Sequence, residues 1–218
     1  MSLAVYNRYV GQFMHDFMVL GCENGKLKIY DITDSNPDKM SISPIYSGQI
    51  LRSSISSIVE AKSLNALILA GNEIDVFNLG RMESVSRLQG HKRPVAGLDY
   101  SESLNVIVSC ARETHVCVWN PSIKKPLEML HGHKAPVVDA KFGTKDHELV
   151  TLSNDNVMKI WDVRMYKCTR TTLHVGGAVS LTCSSLNSKE DSIICGSFEY
   201  GRGDLVSIPL QSLHGSDS

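Results

Sequence analysis

Leu88-Gln89-Gly90-His91-Lys92-Arg93-Pro94-Val95 returns as Leu130-His131-Gly132-His133-Lys134-Ala135-Pro136-Val137, 42 residues further on. The same offset carries Val118-Trp119-Asn120 onto Ile160-Trp161-Asp162, and His to Trp is 28 residues in both copies. Each unit therefore opens on Gly-His and closes on Trp followed by Asn or Asp. Between these markers the pattern has a period of two. Ala96, Leu98 and Tyr100 alternate with Val95, Gly97 and Asp99, and Val138, Ala140 and Phe142 fill the matching places in the next copy. Alternation of this kind reads as strand, and β-branched runs follow at 106–109, 116–119, 148–152 and 157–161. Four short strands per unit, joined by polar turns, are expected.

Weaker copies extend the pattern in both directions. Upstream, Phe17–Gly21, the hairpin signal Asn24-Gly25 and Leu27–Asp31 read as the closing strands of a unit, with Tyr30 in the place of the Trp. Ser63-Leu64-Asn65 echoes Ser103-Leu104-Asn105, and Phe77 stands 42 before Trp119. Downstream, His174 precedes the strand-like Ala178–Cys183, and Ile208 falls where another Trp is due. The markers at 30, 77, 119, 161 and 208 give about five units, placed at 1–40, 41–81, 82–124, 125–167 and 168–218.

A period of about 40–45 residues bounded by Gly-His and Trp-Asp resembles the WD40 repeat over nearly the whole chain. The resemblance implies an all-β fold of propeller blades, each a four-stranded sheet. Propellers of this kind commonly have seven blades, so five imply a fragment of a longer protein, a ring closed by another chain, or a small ring of fewer blades. A fragment of a longer protein is the favoured reading. The resemblance also implies a buried tetrad in the unit that carries the full pattern: His133, Ser153 eight before the Trp, Asp155 six before it, and Trp161. In the preceding unit Ala111 and Glu113 stand where Ser and Asp belong beside His91 and Trp119. That tetrad is degenerate, and the blade is expected to be the softer one.

Composition narrows the function. With 22 basic and 23 acidic residues and a net charge of −1, no global field draws the chain to nucleic acid or anionic lipid. Aromatics at 6% are too few for a base-stacking surface. The apolar runs are far shorter than the ~20 residues of a membrane span. The N-terminus has no secretory signal, and six cysteines without Cys-x-x-Cys spacing fit a reducing, cytoplasmic compartment. His131-Gly132-His133 lacks the further ligands of a metal site, and Arg202-Gly203-Asp204 reads as a strand-to-strand turn. No phosphate loop, Cys/His pair or paired carboxylates appear, so no reaction, cofactor or small-molecule ligand is expected.

What remains is the loops, which on a rigid scaffold carry binding. Lys92, Arg93 and Lys134 on the Gly-His loops, with Arg112, Asn154 and Asn156 on the turns before the Trp strands, make a mildly basic surface suited to an acidic protein partner. Trp161-Asp162-Val163-Arg164 resembles the docking box of cullin-4-type ubiquitin-ligase substrate receptors, in which Arg164 would contact the adaptor. The stretch from Val118 to Cys168 is similar to WD-repeat proteins that pair propellers with EF-hands, several of them ciliary or flagellar. No calcium loop is present here. The expectation is a non-catalytic scaffold binding other proteins, tubulin or axonemal components among them. The ligase receptor is the alternative, and a hydrolase using Ser153 and His133 is a third class.

Overall fold

Alternating apolar side chains broken by Asn, Gly and Asp dictate short strands and tight turns, and that is what forms. The structure, a computed structural model, describes residues 9–13, 17–31, 44–143, 147–173, 178–187, 190–199 and 202–209, with side chains over 17–31, 44–143 and 147–172. Among the described residues the only helical turn is the 3-10 turn Lys62–Leu64. The expectations that fell on His174 and on residues 1–8 and 210–218 lie outside the described residues.

The chain forms two compact units, Met1–Val95 and Ala96–Ser218. In the first, β1 (Tyr9–Phe13), β2 (Phe17–Cys22), β3 (Lys26–Asp31) and β4 (Tyr46–Gln49) make one sheet. A second is made by β5 (Ser57–Ala61), β6 (Ala66–Ala70), β7 (Ile74–Asn78) and β8 (Glu83–Leu88). The other unit takes β9 (Val95–Ser101), β10 (Val106–Ala111), β11 (His115–Trp119) and β12 (Glu128–His131). These are followed by β13 (Val137–Phe142), β14 (Glu148–Ser153), β15 (Val157–Asp162) and β16 (Lys167–Leu173). A three-stranded sheet of β17 (Ala178–Asn187), β18 (Glu190–Glu199) and β19 (Arg202–Pro209) completes the described part. Every sheet is an antiparallel meander in chain order, the strand pattern of a propeller blade.

These sheets do not begin and end with the repeats. β4, β8 and β12 lie beyond the boundaries expected after residues 40, 81 and 124, and β16 straddles the one after 167. Each nevertheless hydrogen-bonds to the strand that closes the preceding unit. The Gly-His motif marks the loop after a fourth strand, whereas pairing decides where a sheet ends. The RGD tripeptide likewise falls at the start of β19, paired with the end of β18, rather than in the turn itself.

In β6 and β10 neither face is wetted, which blurs the expected period of two there. All five residues of β6 are buried, as are Ile107–Ala111 in β10. In the first unit Val19, Leu27, Ile29, Leu67, Leu69 and Phe77 share one core. In the second, Val108, Val116 and Val118 pack with Ala140, Leu149 and Trp161, so the β9–β12 and β13–β16 sheets share another. Gly97 marks their close approach: a Cβ there would stand 2.6 Å from Asp139 Oδ1 and 2.9 Å from the Ala140 nitrogen. The two Ser-Leu-Asn echoes are one turn used twice, with Asn65 and Asn105 at φ 46° and 52°, a region Asn tolerates better than most side chains.

One ion pair of the first unit has a buried carboxylate. Asp75 on β7 is wholly inaccessible and lies opposite Arg87 of β8. Its Oδ2 accepts hydrogen bonds from Ser84 Oγ at 2.7 Å and Arg87 Nε at 3.1 Å, while Arg87 also donates to the Ile50 carbonyl at 3.0 Å. Burial pushes the Asp75 carboxyl above its ordinary range, against the pull of Ser84 and Arg87.

Candidate functional site

A buried indole N–H must be satisfied, and each Trp strand answers with a hydroxyl on the strand beside it. Trp161 Nε1 donates to Thr151 Oγ1 at 2.8 Å, and Thr151 Oγ1 lies 2.6 Å from His133 Nε2. Trp119 Nε1 donates to Ser109 Oγ at 2.8 Å in the same way. This corrects the expected tetrad. Ser153 is not the relay: its one hydroxyl proton is shared between Asp155 Oδ1 and the Val157 carbonyl, closing the turn before β15. Asp155 is thereby engaged with Ser153, and His133 Nδ1 has no hydrogen-bond partner among the described residues. The preceding blade loses its reason to be softer as well. Ala111 replaces the turn serine and leaves the Trp119 bond intact, and His91 lies in the other unit.

The hydrolase pairing fails on the same geometry. His133 faces Thr151 rather than Ser153, and it is 6% exposed. Burial, with Lys159 nearby, lowers its pKa to about 4 from 6.5. The unfolded chain thus binds a proton at His133 that the folded chain refuses. Stability from this group is complete above pH 6.5 and is lost as pH falls toward 4, up to about 3 kcal/mol in all. Chemical denaturation should show the wild type losing more stability than His133→Gln between about pH 7 and pH 4.5. Parallel losses would mean that the imidazole titrates freely in the fold.

The Gly-His loops are held in place by the turns beside them. In the first unit, the turn Gly71-Asn72-Glu73 between β6 and β7 and the loop from Gln89 to Pro94 enclose an open groove of about 530 Å³. The Val95 nitrogen donates to the Gly71 carbonyl at 2.8 Å and fixes one end of the loop, and the Asn72 nitrogen donates to Ser53 Oγ at 2.9 Å. Lys92 and Arg93 are exposed on its rim, and Glu73 is half-buried across from them. Sequence reasoning named the two cations and missed Asn72 and Glu73. The 42-residue offset places Asn72 two repeats before Asn156, which was named, and was the available signal.

The second unit repeats the edge. Val137 N donates to the Glu113 carbonyl at 2.8 Å, and Asn154 N donates to the Pro136 carbonyl at 2.9 Å. These bonds bring Arg112, Lys134, Asn154 and Asn156 to one end of the unit. Asn156 holds φ 61° in the turn. Glu113 lies beside Arg112 in the same turn, and its carboxylate is 3.2 Å from His115 Nε2. Arg164 is elsewhere, in the turn after β15, folded onto its own box. It donates to Asp162 through Nε at 3.2 Å and through a terminal nitrogen at 2.8 Å, which holds the Asp162 carboxyl down to about 2.

The comparisons agree with this architecture. Residues 82–120 and 124–162 match the family model of the WD domain, G-beta repeat. Topless-related protein 4 of Arabidopsis thaliana is 24% identical over 106 residues, 49% of this chain and 9% of that protein. Protein TOPLESS of the same plant is 36% identical over 55 residues, 25% of this chain and 5% of its own length. Eukaryotic translation initiation factor 3 subunit I of Sclerotinia sclerotiorum is 29% identical over 84 residues, 38% of this chain and 25% of that protein. The chain therefore spans a quarter or less of these relatives. Among solved structures, a chain in a crystal structure of a mitotic checkpoint complex aligns over 91% of this one and 64% of itself, with TM-score 0.72 and 18% identity. The computationally designed protein Ika8 aligns over 91% and 57%, with TM-score 0.71 and 20% identity. At such identities these two show the fold alone.

Proposed function

We propose that this chain of WD40 repeats is a non-catalytic scaffold that binds acidic segments of other proteins along its Gly-His loops. The observation that carries the reading is the groove between Asn72-Glu73 and residues 89–94, with Lys92 and Arg93 exposed on its rim. Paired strands hold this edge, so little ordering is needed on binding. Two cations against one carboxylate favour an acidic ligand, chiefly through encounter and orientation.

The setting we attach to it is cytoplasmic and axonemal, with tubulin as the first partner to try. It rests on the similarity of residues 118–168 to ciliary WD-repeat proteins. We read Arg164 as a charge that closes its own turn rather than as a ligase-docking arginine, because both of its donor contacts go to Asp162.

Two purified ligands test the proposal: a fluorescent glutamate-rich peptide and tubulin. Lys92→Glu/Arg93→Glu is expected to weaken peptide binding about tenfold, the scale of two lost charge contacts. Peptide binding that ignores the double substitution removes the groove. Peptide binding without tubulin binding keeps the scaffold and removes the axonemal partner.

A further inference from the structure

Among the described side chains of the second unit, the large apolar ones that stand exposed are Ile123 at 47%, Leu127 at 42%, Met165 at 60% and Tyr166 at 42%. All four occur in two loops, the one joining β11 to β12 and the one joining β15 to β16. Ile123 and Met165 are 42 residues apart, the same place in successive repeats.

The two loops share one end of the unit. The start of β13 bonds the turn after β10, through Val137 N and the Glu113 carbonyl. The end of β13 bonds the later half of β9, through Phe142 N and Asp99 at 2.8 Å. β9 and β13 therefore run in the same sense. β11 and β15, two strands on in each meander, run with them and finish at the same end.

Neither loop is loose. Ile123 N donates to the Asn120 carbonyl, Ser122 N to Asn120 Oδ1 and Leu127 N to the Val118 carbonyl. In the other loop Arg164 N donates to Asp162 Oδ1. Tyr166 holds φ 53°, which costs an L side chain about 1 kcal/mol. Four apolar groups on tied turns mark a surface made to be covered.

Charge says by what. Lys124 and Lys125 are exposed on the first of these loops, and Lys167 is exposed where the second runs into β16. Of the described carboxylates at this end, Asp162 is held by Arg164 and Glu128 accepts from the Met129 nitrogen, while Glu102 and Glu148 have interactions of their own. We infer that the two loops form a docking surface for an acidic amphipathic protein segment. Its apolar side chains sit on Ile123, Leu127, Met165 and Tyr166, and its carboxylates on the three lysines. An anionic membrane is the poorer fit. Lipid surfaces recruit clusters of about four to eight cations beside a continuous apolar face, and three lysines split between two turns supply neither. The surface uses none of the groove's residues and does not depend on it.

The test is fluorescence anisotropy with a labelled Leu/Glu amphipathic peptide, two control peptides (Ser for each Leu, Lys for each Glu) and vesicles of phosphatidylcholine with phosphatidylserine. Ile123→Asp/Met165→Asp is expected to raise Kd at least about tenfold, or ~1.4 kcal/mol. Lys124→Glu/Lys125→Glu raises it less and flattens its salt dependence. Arg164→Ala leaves it within about twofold, because that guanidinium is already engaged. All the substituted side chains are exposed, so melting curves should hold and losses are assignable to binding. No binding of the Leu/Glu peptide, equal binding of the Ser control, or vesicle binding of equal strength overturns the inference. So does a loss confined to Lys92→Glu/Arg93→Glu, which would leave the groove proposal standing alone.

Discussion

Arg87→Met is expected to cost the first unit about 3 kcal/mol of unfolding free energy at neutral pH, more than most single substitutions. Almost nothing of this comes from Arg87 itself, which is 44% exposed at the side chain. The cost arises at Asp75, which has no access to water and would keep only the Ser84 hydroxyl beside it. The sign with pH follows. The Asp75 carboxyl already sits above its ordinary range because of burial, and losing the guanidinium raises it further. Protonation then relieves the folded state, so the deficit against wild type should shrink as pH falls from about 7 toward 4. Adding Asp75→Leu should recover most of the loss, since an apolar pair of similar volume is tolerated where a lone charge is not. Urea titrations of the wild type and the two variants at two pH values decide this. A deficit that is constant with pH would place the cost in the packing of the Arg87 stem instead.

The second large effect is expected at Thr151. Thr151→Val keeps the shape and removes the oxygen that serves both Trp161 Nε1 and His133 Nε2. Two buried polar groups lose their partner at once, for about 3 kcal/mol. Ser153→Ala breaks a turn contact with the exposed Asp155 and should cost about 1 kcal/mol or less. Equal losses would return Ser153 to the relay. Trp161→Phe combined with Thr151→Leu should be milder than Thr151→Val with Trp161 retained, because it removes the donor together with its acceptor. The first unit shows the solution in place: Phe77 has no N–H, and the residue ten before it is the buried Leu67.

The strands, the five-fold recurrence and the all-β class were legible in the residues alone, because Gly-His loops and Trp strands impose residue types at fixed intervals. The relay was legible too, and was misread. Ten residues before each Trp stands a hydroxyl, Ser109 and Thr151, and ten before each substitute marker Tyr30, Phe77 and Ile208 stands an apolar residue. A hydroxyl appears where an indole needs one, whereas at Ser153 the earlier copy has Ala111. The sheet boundaries were hidden for a different reason. Fourth strands such as Glu83–Leu88 and Glu128–His131 are short and largely exposed, so little in their side chains is constrained. The groove was half legible. Lys92 and Arg93 stood out as charges and the repeat offset from Asn156 pointed to Asn72, but Glu73 joins the groove lining through pairings that no local pattern encodes.

The displaced fourth strand also sets the order of events during synthesis. When Trp119 has been added, three strands of its sheet exist, and the edge of β11 stays bare until Glu128–His131 follows. At roughly 5–20 residues per second the wait is about a second. After each Trp strand the nascent chain thus carries one unfinished edge, sealed by residues that the repeat pattern assigns largely to the next unit. An expression boundary drawn after Trp119 or after Trp161 would make that passing state permanent. Boundaries drawn after His131 or Leu173 would not.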